Sequence, residues 1–270
     1  MTTAKDTLKR SAVWLFTQLQ RFPAASRMFD SICLRYHKVH INFNYDHETN
    51  GERWVLERLA QENRLRFVLD VGANRGDWTA LALTINPQLQ AHCFEICPPT
   101  FEKLRASLGG NPQVALQPVG LSDAAGEITI QYCPDGDGLS SLIEVVCSMN
   151  TQSVKARVTT GIEYCRSHNI TKIDFLKLDV EGAEHLVLAG FEDMINPENV
   201  PVVQFEYGMV NIVSKYLLRD FYGFFTSRGY RVGKLFPSEI RFREYRLTDE
   251  DFLGPNFIAA SPQVASLLEK

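Results

Sequence analysis

The stretch Arg66-Phe67-Val68-Leu69-Asp70-Val71-Gly72-Ala73-Asn74-Arg75-Gly76 decides the fold of this chain. Its first six residues form a short, largely apolar run, which is typical of a parallel strand buried on both faces. Gly72 and Gly76 then frame a turn whose backbone can adopt positive φ and approach a ligand closely. A helical segment follows and offers free N–H groups at its start. This order predicts a ligand loop at the edge of an α/β sheet.

The same alternation of strands and helices continues beyond this stretch. We predict further strands at residues 91–95, 114–119, 126–132, 154–158, 173–180, 202–207, 230–235 and 256–260. Predicted helices occupy residues 77–86, 98–108, 161–168, 183–189 and 216–228. Short connections between alternating elements indicate a doubly wound, mostly parallel sheet.

Residues 1–60 have a different pattern, with apolar residues at irregular helical spacing and Pro23 as a predicted break between two helices. We therefore predict an N-terminal helical extension over residues 1–60 and a main domain over residues 61–270. The extension is either a cap packed on the core or a basic amphipathic anchor that contacts a membrane or a partner.

Bulk properties exclude several classes of protein. The 270 residues carry a formal net charge of −4, which does not favour non-specific nucleic-acid binding. The sequence has no run of about 18 apolar residues, which a transmembrane helix would need, and no signal peptide is evident. A cytoplasmic location is therefore expected. Reduced thiols are expected at all six cysteines, which are Cys33, Cys93, Cys97, Cys133, Cys147 and Cys165.

The glycine turn alone does not identify its ligand. Its Gly-x-x-x-Gly spacing lacks the Gly-x-Gly-x-x-Gly pyrophosphate fingerprint, and no Walker Lys follows it. Glu95 is more informative because it ends the second predicted strand, 25 residues after Asp70. A carboxylate at this position can accept hydrogen bonds from both ribose hydroxyls of an adenosine ligand. NAD and S-adenosylmethionine (SAM) both satisfy that requirement.

Other polar residues also lie at or near the ends of predicted strands, where ligands bind in open α/β sheets. They are Ser122-Asp123, Asp179 with Glu181, and Glu206. Paired acids at a strand end are costly to bring together unless they bind something or share a proton. A favourable helix dipole explains Glu184 well, but it explains Asp179 poorly.

Four motifs in order resemble the FkbM family of SAM-dependent methyltransferases. They are Asp70-Val71-Gly72-Ala73-Asn74-Arg75-Gly76, Gly120-Leu121-Ser122-Asp123, Ser140-Ser141-Leu142, and Lys177-Leu178-Asp179-Val180-Glu181-Gly182-Ala183-Glu184. The resemblance runs from about residue 66 to about residue 235. One departure is Ile96-Cys97-Pro98, where relatives often have Pro directly after the ribose-binding Glu.

The resemblance implies a class I methyltransferase fold, with a seven-stranded sheet whose last strand is antiparallel. It implies O-methylation of a hydroxyl on a sugar, glycolipid or related natural product. The loop with Asp70, Gly72, Asn74 and Gly76 would lie along the methionine part of SAM, Glu95 would hold the ribose, and Ser122-Asp123 would lie beside the adenine.

Asp179, Glu181 and Glu206 are the candidate bases that remove the acceptor proton, and His185 is a weaker candidate. We assign no metal ligands, although a divalent cation held by these acids is an alternative. An NAD-dependent oxidoreductase and a non-catalytic SAM-binding protein are the rival functions.

The acceptor is expected to be a small molecule or a glycan, bound by the extension and by loops at residues 133–152 and 207–216. Asp135, Asp137, Ser140 and Ser141 could hydrogen-bond a polyol or be solvated. The oligomeric state is left open.

Overall fold

A computed structural model describes residues 3–133 and 151–269 of the chain. By its contacts the chain separates into two compact units, Met1–Asn44 and Tyr45–Lys270. Residues 134–150 of the loop predicted at residues 133–152, which include Asp135, Asp137 and Ser140-Ser141-Leu142, lie outside the described residues, as does Cys147. Cys33, Cys93, Cys97 and Cys165 are free thiols.

The first unit consists of two helices, α1 (Ala4–Leu19) and α2 (Pro23–His40). Thr3 caps α1 in a capping box with Asp6. Pro23 lies at the first position of α2, so the predicted break is confirmed, because proline is tolerated at a helix start and not in its interior. No described helix is long and apolar enough to cross a membrane.

The second unit contains the remaining described elements. Its helices are α3 (Glu52–Gln61), α4 (Asp77–Ile85), α5 (Pro98–Leu108), α6 (Gly161–Ser167), α7 (Glu184–Gly190), α8 (Val210–Ser214), α9 (Leu218–Thr226) and α10 (Pro262–Leu268). Its strands are β1 (Phe67–Val71), β2 (Gln90–Phe94), β3 (Val114–Gln117), β4 (Gly120–Ser122), β5 (Gly126–Tyr132), β6 (Gln152–Thr160), β7 (Phe175–Leu178), β8 (Val202–Glu206), β9 (Arg231–Phe236), β10 (Glu239–Phe242) and β11 (Asn256–Ala260).

The α3 helix packs with the sheet's own helices. Val55, Leu56 and Leu59 are fully buried in the same cluster as β1 and α4 residues. The boundary between the compact units therefore falls before α3, whereas the sequence placed the domain division at residues 60 and 61. Those helical residues belong with the main unit because their apolar side chains complete its core.

The main sheet has the order β10-β9-β11-β8-β7-β1-β2-β3 among the described residues. Strands β8, β7, β1, β2 and β3 run parallel, and β11 lies antiparallel between β8 and β9. The predicted α/β fold with an antiparallel last strand is thus confirmed. The sheet has an eighth strand, β10, beyond the predicted seven, because the chain turns after β9 and β10 pairs with β9 as an antiparallel hairpin. Residues 239–242 were not predicted as a strand.

A smaller sheet with the order β4-β6-β5 stands apart from the main one. Residues 126–132 and 154–158, which were both predicted as strands, lie in the antiparallel β5–β6 pair. The third predicted strand ends at Gln117, and Gly120–Ser122 pair with β6 instead. Helices cover both faces of the main sheet, where two separate apolar clusters form the core.

Candidate active site

The loop after β1 is pinned to the end of β2. The backbone N–H groups of Gly72 and Ala73 both donate to the Phe94 carbonyl, at 3.0 and 2.9 Å. The N–H of Asn74 donates to Glu95 Oε2 at 3.0 Å. Gly72 and Asn74 have φ values of +84° and +49°, which glycine and asparagine tolerate. The predicted ligand loop is therefore hydrogen-bonded to Glu95, the residue that was predicted to bind ribose.

The two loop glycines are required by chain packing. A Cβ on Gly72 would lie 1.8 Å from the Asp179 carbonyl oxygen, and one on Gly76 would lie 2.5 Å from Leu108 Cδ1. Neither position can hold a larger residue without moving its neighbour. At Gly72 the contact brings the loop after β1 directly against the loop after β7.

Glu95 has a carboxyl group that the backbone holds in place. It is 6% exposed, and its Oε1 accepts a hydrogen bond from the Cys97 N–H at 2.8 Å while Oε2 accepts from Asn74. Burial raises the pKa of Glu95 to about 7, against the lowering effect of these two N–H donors. Because each carboxylate oxygen can accept more than one hydrogen bond, further donors such as ribose hydroxyls would stabilise the ionised form.

Asp70 lies beneath the loop with no exposed surface. Its Oδ2 accepts a hydrogen bond from Thr79 Oγ1 at 2.7 Å, and its Oδ1 lies 3.5 Å from Lys177 Nζ. Burial raises the pKa of Asp70, and Lys177 opposes that rise. A fully buried carboxyl of this kind supports the loop from below, so direct contact of Asp70 with a cofactor stays a prediction.

Lys177 joins β1 to β7 at the site. Its side chain is 7% exposed, and its Nζ lies 2.9 Å from Asp179 Oδ2 as well as near Asp70. Burial by itself lowers the pKa of Lys177, but the carboxylates of Asp179 and Asp70 raise it above its ordinary value. The lysine is therefore a buried cation between two acids. Lys177 lies in the fourth motif of the family resemblance, but the sequence predicted no role for it.

Asp179, Glu181 and Glu206 form the acid cluster of this site. One carboxylate oxygen of each lies within 4.8 Å of those of the other two. The parallel pairing of β7 with β8 places Leu178 opposite Phe205, so that Asp179, just after β7, and Glu206, the last residue of β8, lie side by side. The structure thus brings together the three residues that the sequence predicted as candidate bases.

The three acids differ in proton affinity. Burial raises the pKa of Glu181 to about 8, with help from the charges of Asp179 and Glu184. Burial and the same neighbouring charges raise the pKa of Glu206 well above its ordinary value. Burial also acts on Asp179, but Lys177 and a hydrogen bond with Glu206 hold its pKa below the ordinary value. Asp179 is therefore the ionised member, and Glu206 shares its proton with it.

A tight turn carries Glu181 from β7 into α7. Glu181 and Gly182 have φ values of +54° and +99°, and a positive φ is uncommon for glutamate. The buried Glu184 braces this turn, since its Oε1 accepts hydrogen bonds from the N–H groups of Val180 and Gly182 at 3.1 and 3.2 Å. This bracing fits the role of a helix N-terminal acid that was predicted for Glu184.

Tyr45 and Tyr216 are two aromatic residues for which the sequence predicted no catalytic role. Desolvation, followed by the charges of Glu206, Glu181 and Asp179, raises the pKa of Tyr45 to about 12. Tyr216 stacks on His185 with ring centroids 4.9 Å apart. Burial lowers the pKa of His185, so its neutral form is favoured. Tyr45 had no signal because it lies far from the motifs in sequence.

Ser122 and Asp123 follow β4 in the smaller sheet. The Ser122 hydroxyl donates to Asp123 Oδ1 at 3.1 Å, which orients an exposed carboxylate. Gly120 packs so closely on Ile96 that a Cβ would lie 2.6 Å from its Cδ1. The start of β4 therefore lies against the residue that follows Glu95, and the Ile96-Cys97 departure leaves Glu95 in its predicted place at the end of β2.

Known proteins with related sequences include three that are named methyltransferases. Hexuronic acid methyltransferase AglP of Haloferax volcanii is 27% identical over 60% of this chain and 65% of its own length. 2-O-methyltransferase NoeI of Sinorhizobium fredii is 27% identical over 47% of this chain and 58% of its own length. The chain thus spans less than two thirds of either relative.

A solved structure of methyltransferase FkbM from Methylobacillus flagellatus KT aligns with a TM-score of 0.45 and 15% identity, over 73% of this chain and 44% of that one. The family described as the methyltransferase FkbM domain matches residues 70–232, which is more than half of the chain and contains the glycine loop, Glu95 and the acid cluster. The resemblance seen in the four motifs is confirmed, and the chain belongs to the FkbM methyltransferase family.

Proposed function

We propose that the protein transfers a methyl group from SAM to a hydroxyl group of a sugar or a related polyol. Membership of the FkbM family supports the reaction class. The hexuronic acid and 2-O-methyltransferase relatives support a sugar-like acceptor. SAM supplies an electrophilic methyl group on a sulfonium. The residues of the chain therefore have to bind SAM and the acceptor, align the two, and remove the proton of the acceptor hydroxyl.

One observation carries this proposal more than any other. The backbone of Gly72, in the loop assigned to the cofactor, abuts the carbonyl of Asp179, which begins the acid cluster. A ligand along the loop and an acceptor at the cluster would therefore be neighbours. Alignment of two bound reactants in this way can supply roughly 7–11 kcal/mol of the barrier.

The residues fit an adenosine ligand in their donor and acceptor chemistry. Glu95 offers lone pairs beside a loop that holds its carboxyl group in place, and both ribose hydroxyls are donors. We assign ribose binding to Glu95, the methionine side to Gly72, Asn74 and Gly76, and the adenine side to Ser122 and Asp123. Asp70 acts beneath them as a positioning residue.

The acid cluster is suited to removing the acceptor proton. A general base works best with a pKa near the operating pH, which is the property of Glu181 at about 8. Asp179 stays ionised beside Lys177 and can orient the acceptor hydroxyl by accepting its hydrogen bond. Glu206 holds a shared proton with Asp179, which limits the mutual repulsion of the three acids.

A divalent cation is the alternative occupant of the same three carboxylates, because oxygen ligands suit Mg²⁺ and Ca²⁺. Such an ion would lower the pKa of a bound hydroxyl and replace the base. Chelation decides between the two. Turnover that survives dialysis against EDTA supports the base, whereas turnover lost in EDTA and restored by Mg²⁺ or Mn²⁺ supports the cation.

The function is tested in two steps. Calorimetric titration of the purified chain with SAM and with NAD should show binding of SAM alone, and tight binding of NAD would revive the oxidoreductase. Methyl-labelled SAM is then offered with a panel of free uronic acids, glycosides and glycolipids. Label in a base-stable ether on a hydroxyl supports O-methylation. SAM binding without transfer to any panel member would favour the non-catalytic SAM-binding protein.

A further inference from the structure

Helices α1 and α2 expose an unusual amount of apolar surface. Neither helix has a single buried residue. Seventeen large hydrophobic residues are exposed in the described part of the chain, and twelve of them lie between Leu8 and Val39. Surface apolar residues scattered singly are ordinary, but a concentrated patch marks an interaction surface.

The exposed apolar residues of α2 form one stripe. Met28, Phe29, Ile32, Tyr36 and Val39 recur at the spacing of one helical face and are 39–80% exposed. At 1.5 Å per residue, the 18 residues of α2 extend for about 27 Å. The stripe therefore runs along most of the helix, and Tyr36 and Val39 in its second half are 70% and 80% exposed.

A second stripe on α1 continues the first. Leu8, Leu15 and Leu19 share one face of α1, and Phe16 beside them contacts Phe29 of α2 with ring centroids 5.4 Å apart. Leu8 and Leu15 are 74% and 59% exposed. The two helices thus present apolar faces that meet at an aromatic pair.

The charge of this unit is opposite to that of the rest of the chain. Residues 1–44 contain seven Lys and Arg and two Asp, a formal charge of +5. Since the whole chain carries −4, residues 45–270 carry −9. On α2, Arg27, Arg35 and Lys38 lie off the apolar stripe. Apolar and aromatic residues on one face with basic residues beside them are typical of helices that lie in a membrane interface.

We propose that α1 and α2 bind the surface of an anionic phospholipid membrane. The apolar stripe enters the boundary of the acyl chains, and the basic residues contact the lipid phosphates and carboxylates. A second copy of the stripe is a poor partner because it carries the same +5 charge. The acidic unit offers a stripe little apolar surface, since only five large hydrophobic residues are exposed on its described part.

The test is flotation of the full chain with phosphatidylcholine vesicles, with and without phosphatidylserine. We expect binding to the anionic vesicles that is at least about tenfold stronger than to the neutral ones and that falls as salt is raised. Equal binding to both kinds of vesicle, or no binding to the anionic ones, would overturn the proposal.

Two pairs of variants locate the surface. Ile32→Asp should weaken vesicle binding at least about tenfold, because it places a charge in the stripe, while Leu247→Asp at a residue that is 79% exposed should not. The triple change Arg27→Gln, Arg35→Gln and Lys38→Gln should act likewise. Its matched control is Arg105→Gln, Lys155→Gln and Arg166→Gln, at exposed bases of the other unit.

Circular dichroism confirms that each variant is folded, and sedimentation velocity reports its oligomeric state. If Ile32→Asp dissociates an oligomer and leaves vesicle binding unchanged, the stripe is an interface between copies and the membrane proposal fails. If both triple variants weaken vesicle binding equally, the attraction is not specific to α1 and α2, and the proposal fails as well.

Discussion

Two groups of carboxylates lie at the carboxyl edge of the same parallel strands, and they are held in opposite ways. Glu95 after β2 is bound by two backbone N–H groups, from Asn74 and Cys97. Asp179 after β7 and Glu206 at the end of β8 are held by one lysine and by each other. Backbone donors prepare Glu95 to accept hydrogen bonds, whereas in the other group burial and like charges raise the pKa of Glu206 and Lys177 keeps that of Asp179 low.

The difference shows how one residue type performs two tasks in one site. Environments that push carboxyl pKa values apart are the usual sign of a division between binding and proton transfer. Here the pKa values are pushed apart within the acid cluster, where that of Asp179 is lowered and those of Glu181 and Glu206 are raised, while Glu95 differs from the cluster in its backbone hydrogen bonds. Changes on either side should therefore have separate signatures in binding and in turnover.

The largest effect is expected from Asp179→Asn. The amide keeps the shape but cannot supply the negative charge that orients the acceptor, so kcat should fall roughly 10²- to 10⁴-fold. The dissociation constant of SAM, measured by calorimetry, should change little. Asp193→Asn, at an exposed acid, is the control. Full activity of Asp179→Asn would remove this residue from the mechanism.

Lys177→Met tests what holds the acids together. Removal of the cation leaves Asp70 and Asp179 without their shared partner, so the free energy of unfolding should fall by about 3–5 kcal/mol. Chemical denaturation measures the change. Lys155→Met breaks an exposed pair with Glu127 and should cost about 0–1 kcal/mol. Similar losses of unfolding free energy in the two variants would mean that the buried lysine does not stabilise the two acids beside it.

Glu95→Gln should affect the cofactor and spare the acceptor. Loss of a charged hydrogen-bond acceptor is expected to weaken SAM binding roughly 10- to 100-fold. At saturating SAM, kcat should stay within a few-fold of the parent, because the acid cluster is untouched. If kcat fell while SAM bound normally, Glu95 would belong to the catalytic side of the comparison.

The pH dependence of turnover sharpens the assignment of the base. Because Glu181 must be ionised to accept a proton and its pKa is raised to about 8, kcat should rise with pH and level off above about pH 8. Glu181→Gln should abolish this limb of the profile along with most of the activity. The range from about pH 6 to about pH 9 extends from about two units below this pKa to about one unit above it. A kcat that does not change over this range would exclude Glu181 as the base.

The smallest effect concerns stability. Burial and neighbouring charges raise the pKa values of Glu181, to about 8, and of Glu206, so the folded protein binds more protons than the unfolded chain above about pH 4.5, and for Glu181 this difference ends near pH 8. Stability conferred by their protonated forms is complete below this window and is lost as pH rises through it. Glu206→Gln should therefore make the fall in Tm across the window shallower. An unchanged slope would mean that Glu206 is not protonated in the fold.

Much of the site could be predicted from local sequence. The run from Phe67 to Val71 and the glycine turn after it fixed the first strand and loop, because buried parallel strands and positive-φ turns have strong local signatures. Glu95 followed from its place after the next strand. In contrast, β10 was missed because a short hairpin at a sheet edge has little local periodicity.

The acids at strand ends, their order along the chain and the membership of the family were determined by the sequence itself. Only the tertiary structure decided that Gly72 is required by the Asp179 carbonyl, that Lys177 lies between two acids, and that the charges of the acid cluster act on the pKa of Tyr45. The physical reason is that strand order along the chain sets which ends share an edge, whereas proton affinity depends on desolvation and on charges a few ångströms apart. Those distances exist only once β1, β7 and β8 are paired.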